Sequence, residues 1–132
     1  MVRHDDERRE FVRVPFNTRV EVSAHDWLVR TDRDIDVSMN GLRLSGIDHK
    51  GSHPLPGTPC KATIHLQALG DRFAIEARGT IIRSEPGNLA VEFVDMDVDS
   101  YQHLRRLILS NTDDVETAEH QFDVHRGIRR NA

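Results

Sequence analysis

Cysteine, lysine and aromatic residues are all scarce in this chain of 132 residues. The single cysteine, Cys60, excludes an intramolecular disulfide. Aromatic residues make up only 5% of the chain, which disfavours a nucleic-acid surface built on stacked rings. Lysine occurs only at Lys50 and Lys61, so arginine supplies nearly all the positive charge. We therefore expect an aliphatic core and a surface whose cations are guanidinium groups.

Long apolar runs are also missing. No run approaches the ~20 residues that a membrane-spanning helix needs, and the charged stretch from Arg3 to Arg9 lacks the apolar core of a signal peptide. We therefore expect a cytoplasmic protein without membrane insertion. The formal net charge of −4 argues against a nucleic-acid polymer as partner. A local cluster of arginines on an acidic body suits a small anion better.

Most of the chain shows the alternation of apolar and polar residues that is typical of half-buried strands. Strands are predicted at Thr18–Val22, Trp27–Val29, Asp34–Val37, Leu42–Leu44, Cys60–Leu66, Phe73–Ile82 and Leu89–Val94. Residues 46–59 hold three glycines and three prolines and are predicted to be a loop. A bend is expected at Gly79. Short strands separated by regular turn signals indicate a small barrel or sandwich.

The hydrophobic period changes after residue 97. Tyr101, Leu104, Leu107 and Ile108 fall on one face of a helix. Asp99 is predicted as the N-cap, with Gln102 as its capping-box partner. A weaker pattern predicts a second helix over about 113–125, and the last residues are expected to fray.

Two charged motifs stand out against this background. Arg8, Arg9 and Arg13 form an R-R-x-x-x-R pattern near the N-terminus, and Asp36, Ser38 and Gly41 form a D-x-S-x-x-G pattern at a strand end. Arginine forks match phosphate and the O6/N7 edge of guanine. A carboxylate accepts hydrogen bonds from the guanine N1–H and N2–H₂ groups. Together the motifs indicate a binding site for an anionic, planar ligand.

This pair of motifs resembles the PilZ family of bacterial cyclic di-GMP receptors. The similarity extends to Gly41–Leu44, Gly79–Arg83, Leu89–Phe93 and the Asp97–Ser100 segment before the helix, and it covers roughly residues 5–110. The resemblance implies a mainly β fold, a small antiparallel barrel of about six strands with one or two C-terminal helices. The expected organisation is an arginine-rich flexible arm (1–14), the barrel (15–96), a helical segment (97–126) and a disordered tail (127–132).

The resemblance also implies that the two motifs have separate roles at the site. The arm with Arg8, Arg9 and Arg13 would fold over cyclic di-GMP, while Asp36, Ser38 and Gly41 would form the floor. Gly41 would let the ligand approach the backbone and would permit a positive φ. Secondary contacts are expected from Asn40, Arg43 and Arg83. The Arg8–Arg9 doublet resembles members that hold an intercalated ligand dimer, because an extra guanidinium offsets the additional phosphate charge.

The sequence pattern favours neither an enzyme nor a metal-binding protein. No paired nucleophile and base is visible, so the chain is predicted not to be an enzyme, and no cofactor is expected. His49, His53 and Cys60 lie in a stretch rich in glycine and proline without a metal-binding motif, so no metal site is predicted. Cys60 is instead expected to be a small apolar residue that is buried or half-buried.

Two further hypotheses concern partners. The chain could be a degenerate PilZ-like interaction module that binds a protein and no nucleotide, or a small barrel that binds single-stranded nucleic acid. The receptor reading expects cyclic di-GMP and an unidentified downstream protein as partners, with motility, adhesion or exopolysaccharide production as output. It expects a monomer or weak dimer.

Overall fold

A computed structural model describes residues 11–68, 71–124 and 129–131. Most of the described residues lie in strands, and the mainly β class with two C-terminal helices is confirmed. The strands are β1 (Arg13–Asn17), β2 (Val20–Ala24), β3 (Trp27–Thr31), β4 (Asp34–Ser38), β5 (Gly41–Ser45), β6 (Asp48–Gly51), β7 (Pro59–Ala68), β8 (Asp71–Glu85), β9 (Asn88–Asp97) and β10 (Arg129–Asn131). The helices are α1 (Val98–Asn111) and α2 (Val115–Val124). The described residues contain ten strands, where about six were predicted.

The strands form one sheet in the order β1-β4-β5-β9-β8-β7-β2-β3-β6, with β10 added to β9. All neighbours are antiparallel except β10 and β9. Alternate residues of the strands point into one core, which contains Val22, Leu44, Ile64, Ile75 and Phe93. Because this alternation has a period of two, every second residue of β4, β5, β8 and β9 is left on the outer face of the sheet. The candidate site lies on that face.

Helix α1 packs on the sheet through Leu104, Leu107 and Ile108, as its apolar face predicts. Its N-cap is Asp97, and the prediction of Asp99 is wrong. The Asp97 carboxylate accepts a hydrogen bond from the Ser100 backbone N–H at 2.7 Å. Asp99 lies within the first turn. β9 continues to Asp97 without a break, so the helix begins two residues earlier than the capping-box pattern indicated.

Three strands lie where no strand was predicted. β1 begins at Arg13, inside the stretch predicted to be an arm, and pairs with β4 despite Pro15. β6 lies within the predicted loop and pairs with β3. β10 pairs with Asp95–Asp97 of β9, where a frayed tail was expected. β1 and β6 lie at the two ends of the strand order, and β10 adds to β9, which is already paired. The alternation of apolar and polar residues therefore gives little indication of where these three strands lie.

β8 is bent, as expected at Gly79. The pairing of β8 with β9 shifts register between Arg78 and Gly79. Beside this bulge the Arg78 guanidinium donates to both carboxylate oxygens of Asp95, with Nε–Oδ1 at 2.9 Å. Asp95 is buried, so this pair supplies a charged hydrogen-bonding partner that a buried carboxylate requires.

No helix in the described part of the chain is long and apolar enough to cross a bilayer.

Candidate functional site

The D-x-S-x-x-G motif forms the turn between β4 and β5. Ser38 pairs with Gly41 across a two-residue connection of Met39 and Asn40. Met39 is buried in the core and anchors the turn from below. The Asn40 carbonyl accepts a hydrogen bond from the Phe93 N–H at 2.8 Å. The turn is therefore held against β9 by both packing and a backbone hydrogen bond.

Ser38 is less accessible than the sequence suggested. The residue is 1% exposed, and its Oγ donates to Asn40 Oδ1 at 2.6 Å. A second, longer contact joins Oγ to the Gly41 carbonyl at 3.4 Å. Since a hydroxyl has one proton to donate, Ser38 can donate to a ligand only if Asn40 turns away. In this arrangement Ser38 orients Asn40, whose amide lines the site.

Gly41 has a structural reason for being glycine. A Cβ at this position would overlap the carbonyl oxygen of Val91 on the neighbouring β9. Its φ lies outside the left-handed region, in which Gly46, Gly51, Gly57 and Gly87 are found. Gly41 therefore does not adopt the positive φ that glycine permits. Close approach of β5 to β9 is what requires the missing side chain.

Strand register gathers the motif residues into two rows on the outer face. The first row contains, from β1 to β8, Arg13, Ser38, Gly41, Glu92 and Thr80. The second row contains Pro15, Asp36, Arg43, Ala90 and Arg83. The residues between these rows point into the core and are Val14, Val37, Leu42, Val91 and Ile81. The apolar row thus fixes which side chains of five strands share the outer face.

A groove of about 600 Å³ lies over these rows. It is lined by Arg13, Ser38, Asn40, Gly41, Leu42, Arg43, Ile82, Arg83, Ala90, Val91 and Glu92. Three arginines face it against one glutamate, so its charge is opposite in sign to that of the whole chain. A groove of this volume is suited to an anion of dinucleotide size.

The two arginines at the motif end of the groove repel each other. Burial is the main cause that lowers the pKa of Arg13, and the charge of Arg43 lowers it further, while Asp36 acts in the opposite direction. Arginine stays charged despite such a shift. The consequence is a destabilised cation that an added anion would stabilise. Within the described residues, neither guanidinium donates a hydrogen bond, so their donors are open to a ligand.

A bulge in β8 supplies the apolar part of the groove. The register with β9 shifts between Ile81 and Arg83, leaving Ile82 without a partner on β9. Ile82 is 50% exposed although it is a large aliphatic residue. Arg83 makes only a loose ion pair with Glu85, with Nε–Oε1 at 3.7 Å. Such a bulge re-aims side chains, and here it presents an apolar surface on which a base can lie next to a guanidinium.

Most of the predicted site residues meet in this groove. Arg13, Ser38, Asn40, Gly41, Arg43 and Arg83 line it. Asp36 does not line it but is the cross-strand partner of Arg43 and interacts electrostatically with Arg13. Arg8 and Arg9 lie outside the described residues. Sequence reasoning missed Ile82 and Glu92, because only the pairing of β9 with both β5 and β8 shows that they belong to the same face.

The N-terminal end of the site is tied to the helices. The Val12 N–H donates to Gln121 Oε1 of α2 at 2.8 Å. Phe11 and Val12 also pack against the core. The backbone immediately before Arg13 is therefore positioned by a helix that is more than a hundred residues away in sequence.

The alternative metal site finds no geometric support in the part of the chain that is described. No group of three or more histidine, cysteine, aspartate or glutamate residues could hold a metal there. The rings of His49 and His53 stack at 4.8 Å. Cys60 is buried, as predicted, and burial raises the pKa of its thiol to about 11.

A β-sheet domain with a cationic groove on its outer face has the features of a small-anion-binding module. Comparison with known families makes this class specific, because the PilZ domain matches residues 7–110. The chain belongs to the PilZ family, whose members are receptor and adaptor modules.

A solved structure shares the fold. The structure of the Bacillus subtilis inhibitor of motility (MotI/DgrA) superposes with a TM-score of 0.59 at 16% sequence identity. The match covers 95% of this chain and 58% of that chain. This chain thus corresponds to little more than half the length of that protein, and at this identity the likeness establishes the fold.

Proposed function

We propose that this protein is a receptor for cyclic di-GMP that alters its surface when it binds the ligand and thereby signals to a protein partner. The observation that carries the proposal is the groove in which Arg13, Asn40 and Arg43 lie side by side, within a PilZ domain. Charge, size and chemistry all suit this ligand. Guanidinium groups match its phosphates and its guanine O6/N7 edges.

Each side of the groove has a separate role in this proposal. Arg13 and Arg43 contact phosphate or guanine from the β1–β5 side, and Asp36 accepts from guanine donors. On the β8 side, Ile82 and Arg83 provide a surface for a base. Arg8 and Arg9 precede β1 and would close over the ligand from the N-terminal side, which accommodates an intercalated dimer. Ordering this arm costs free energy that charge-assisted contacts must exceed.

The link from ligand to output would run through the N-terminus. Since the Val12 N–H is bonded to Gln121, movement of the arm toward the groove acts directly on α2. The surface formed by the arm and the helices would then differ between free and bound protein. A partner that binds one of these surfaces better than the other would respond to the ligand. Regulation of motility, adhesion or exopolysaccharide production is the class of output proposed.

The site assignment is tested by binding measurements on Arg13→Ala and Asp36→Ala, with Arg30→Ala as control. Arg30 is an exposed arginine on β3 that does not line the groove, so this control matches the charge change of Arg13→Ala away from the site. The two site variants should lose affinity for cyclic di-GMP by roughly tenfold or more, because each removes a hydrogen bond to a charged group. The control should bind like wild type at matched salt. Equal affinity in all three variants would refute this site.

The alternative is that this protein is an interaction module that binds a protein partner and no nucleotide. A thermal-shift experiment separates it from the receptor, because a ligand that binds only the native state raises the melting temperature. Absence of any shift with cyclic di-GMP at high concentration would support a PilZ domain that binds protein alone.

A further inference from the structure

The groove contains one carboxylate that belongs to neither sequence motif. Glu92 lies on β9, where Val91 and Phe93 point into the core, so Glu92 points outward. Its cross-strand partners are Gly41 on β5 and Thr80 on β8. Because Gly41 has no side chain, the Glu92 side chain stands over an open stretch of sheet. It is exposed and lines the groove.

The position of Glu92 is not explained by ion pairing with the arginines of the groove. Within the described residues, Glu92 makes no ion pair within 4.0 Å and no side-chain hydrogen bond, although three arginines line the same groove. Its effect on a phosphate would be repulsive. A carboxylate that lines an anion-binding groove favours a ligand that presents hydrogen-bond donors to it.

Guanine presents such donors. Its N1–H and N2–H₂ groups lie side by side in the plane of the base and match the two oxygens of a carboxylate. Adenine presents an acceptor at N1 instead, which a carboxylate repels. Glu92 would therefore favour guanine and disfavour adenine at the same point of the groove. Specificity then comes from attraction to one base and repulsion of the other.

A ligand with two guanine bases can use a second hydrogen-bond acceptor on the protein. Asp36 lies on β4 and Glu92 on β9, with β5 between them, and they belong to neighbouring rows of the outer face. Two strand spacings and a two-residue offset separate their Cα atoms by about 12 Å. At this distance the two carboxylates face different parts of a ligand. We propose that Glu92 is a specificity-determining residue that reads the N1–H and N2–H₂ edge of a guanine, while Asp36 serves another guanine; this rests on the proposed cyclic di-GMP function.

The test is a comparison of ligands that differ at this edge, among which the guanine and inosine ligands differ only in the N2 amino group. Cyclic di-GMP, cyclic di-AMP and cyclic di-inosine monophosphate are titrated into wild type, Glu92→Gln and Glu92→Ala. Inosine keeps N1–H, O6 and N7 but lacks the N2 amino group. Glu76→Gln is the matched control, because Glu76 is an exposed glutamate on β8 that does not line the groove. It changes net charge by the same amount.

Wild type should bind cyclic di-GMP more tightly than the inosine ligand, and Glu92→Ala should lose roughly tenfold or more in affinity for cyclic di-GMP. The loss should be smaller for the inosine ligand, so the variant should discriminate less between the two. Discrimination against cyclic di-AMP should also fall. The difference between the two losses in affinity measures the interaction between the Glu92 carboxylate and the ligand N2 amino group, separately from general charge effects.

Two results would overturn the proposal, and they are distinguishable. If wild type binds cyclic di-GMP but both Glu92 variants bind it equally well or more tightly, Glu92 does not read the base and only this inference fails. If wild type binds none of the three ligands, the receptor function itself fails and the role of Glu92 with it.

Discussion

Gly41 illustrates at the residue scale how a motif residue can be required by the fold itself. A Cβ there would meet the backbone of Val91, which cannot rotate away as a side chain could. Gly79 lies on the other side of β9, where a Cβ would come within 2.6 Å of the Glu92 carbonyl oxygen. The strand that carries Glu92 is therefore closely approached by glycines from both neighbours. These contacts bring the two sides of the groove together.

Replacing Gly41 with alanine should lower the free energy of unfolding by about 1–3 kcal/mol, since β5 and β9 must separate to admit the methyl group. Chemical denaturation measures the loss. Ser45→Ala on the same strand is the control, because Ser45 is exposed and its neighbours need not move. A Gly41→Ala protein as stable as wild type would contradict the close approach.

Cys60 provides a test of burial at the same scale. Burial raises the pKa of its thiol to about 11, above the value near 8.5 for an exposed cysteine. The thiolate is the reactive form, so native protein should react slowly with a disulfide reagent at pH 8. The rate should rise as pH approaches 11, and denatured protein should react quickly at pH 8. Rapid labelling of native protein at pH 8 would show that the thiol is accessible.

Helix α1 is the element whose start differed from the sequence prediction, and the difference can be measured. Asp97→Ala removes the carboxylate that accepts from the Ser100 N–H and also contacts the Ser100 hydroxyl. Ser100 Oγ in turn accepts from the Glu76 N–H at 3.0 Å. The substitution should therefore lower the free energy of unfolding by about 1–2 kcal/mol.

Asp99→Ala is the matched comparison for this helix. Asp99 lies in the first turn, where it only interacts with the helix dipole, so its loss should cost less, about 0.3–1 kcal/mol. Thermal or urea unfolding of both variants shows which substitution lowers the free energy of unfolding more. A larger loss for Asp99→Ala would restore the N-cap predicted from sequence.

The elements that sequence predicted are those with a strong alternation. β7, β8 and β9 bury every second side chain over much of their length, and this period is visible in the residues themselves. β6 is exposed at all four residues, so no alternation marks it. β1 contains Pro15, which removes a backbone donor, and pairs only with β4. Edge pairing of this kind depends on the neighbouring strand and leaves little trace in local sequence.

The same limit applies to the candidate site. The motifs identified Arg13, Asp36 and Asn40 because the family resemblance fixes their spacing along the chain. Glu92 and Ile82 reach the groove through a strand order and a bulge, which are properties of the whole sheet. The burial of Ser38 beneath Asn40 likewise follows from turn geometry. Sequence thus predicted the residues of one side of the groove and missed most of the other.

At the scale of the whole molecule, the residues just before β1 meet the helices that follow the sheet. The Val12–Gln121 hydrogen bond joins the residue before β1 to α2, and the Tyr101 hydroxyl donates to the Phe122 carbonyl, which joins the two helices. Tyr101 and Phe122 also contact edge to face, with ring centroids 5.7 Å apart. The backbone at Val12 and the two helices are therefore connected by hydrogen bonds.

Gln121→Ala should loosen this connection without unfolding the sheet. The Val12 amide loses its acceptor, so its hydrogen exchange should become faster, while core amides such as those of Ile64 and Ile75 keep their protection. Amide exchange followed by nuclear magnetic resonance measures both. Glu119→Ala, an exposed position on the same helix, is the control. Unchanged exchange at Val12 would mean that the hydrogen bond does not hold the N-terminus.

The central claim, that the cationic groove is a cyclic di-GMP site, is tested most directly by isothermal titration of the purified protein with cyclic di-GMP, with GTP and cyclic di-AMP as controls. The account predicts saturable binding to cyclic di-GMP alone, and a stoichiometry near two ligands per chain if the ligand binds as an intercalated dimer. No heat of binding, together with no thermal shift at high ligand concentration, would contradict it.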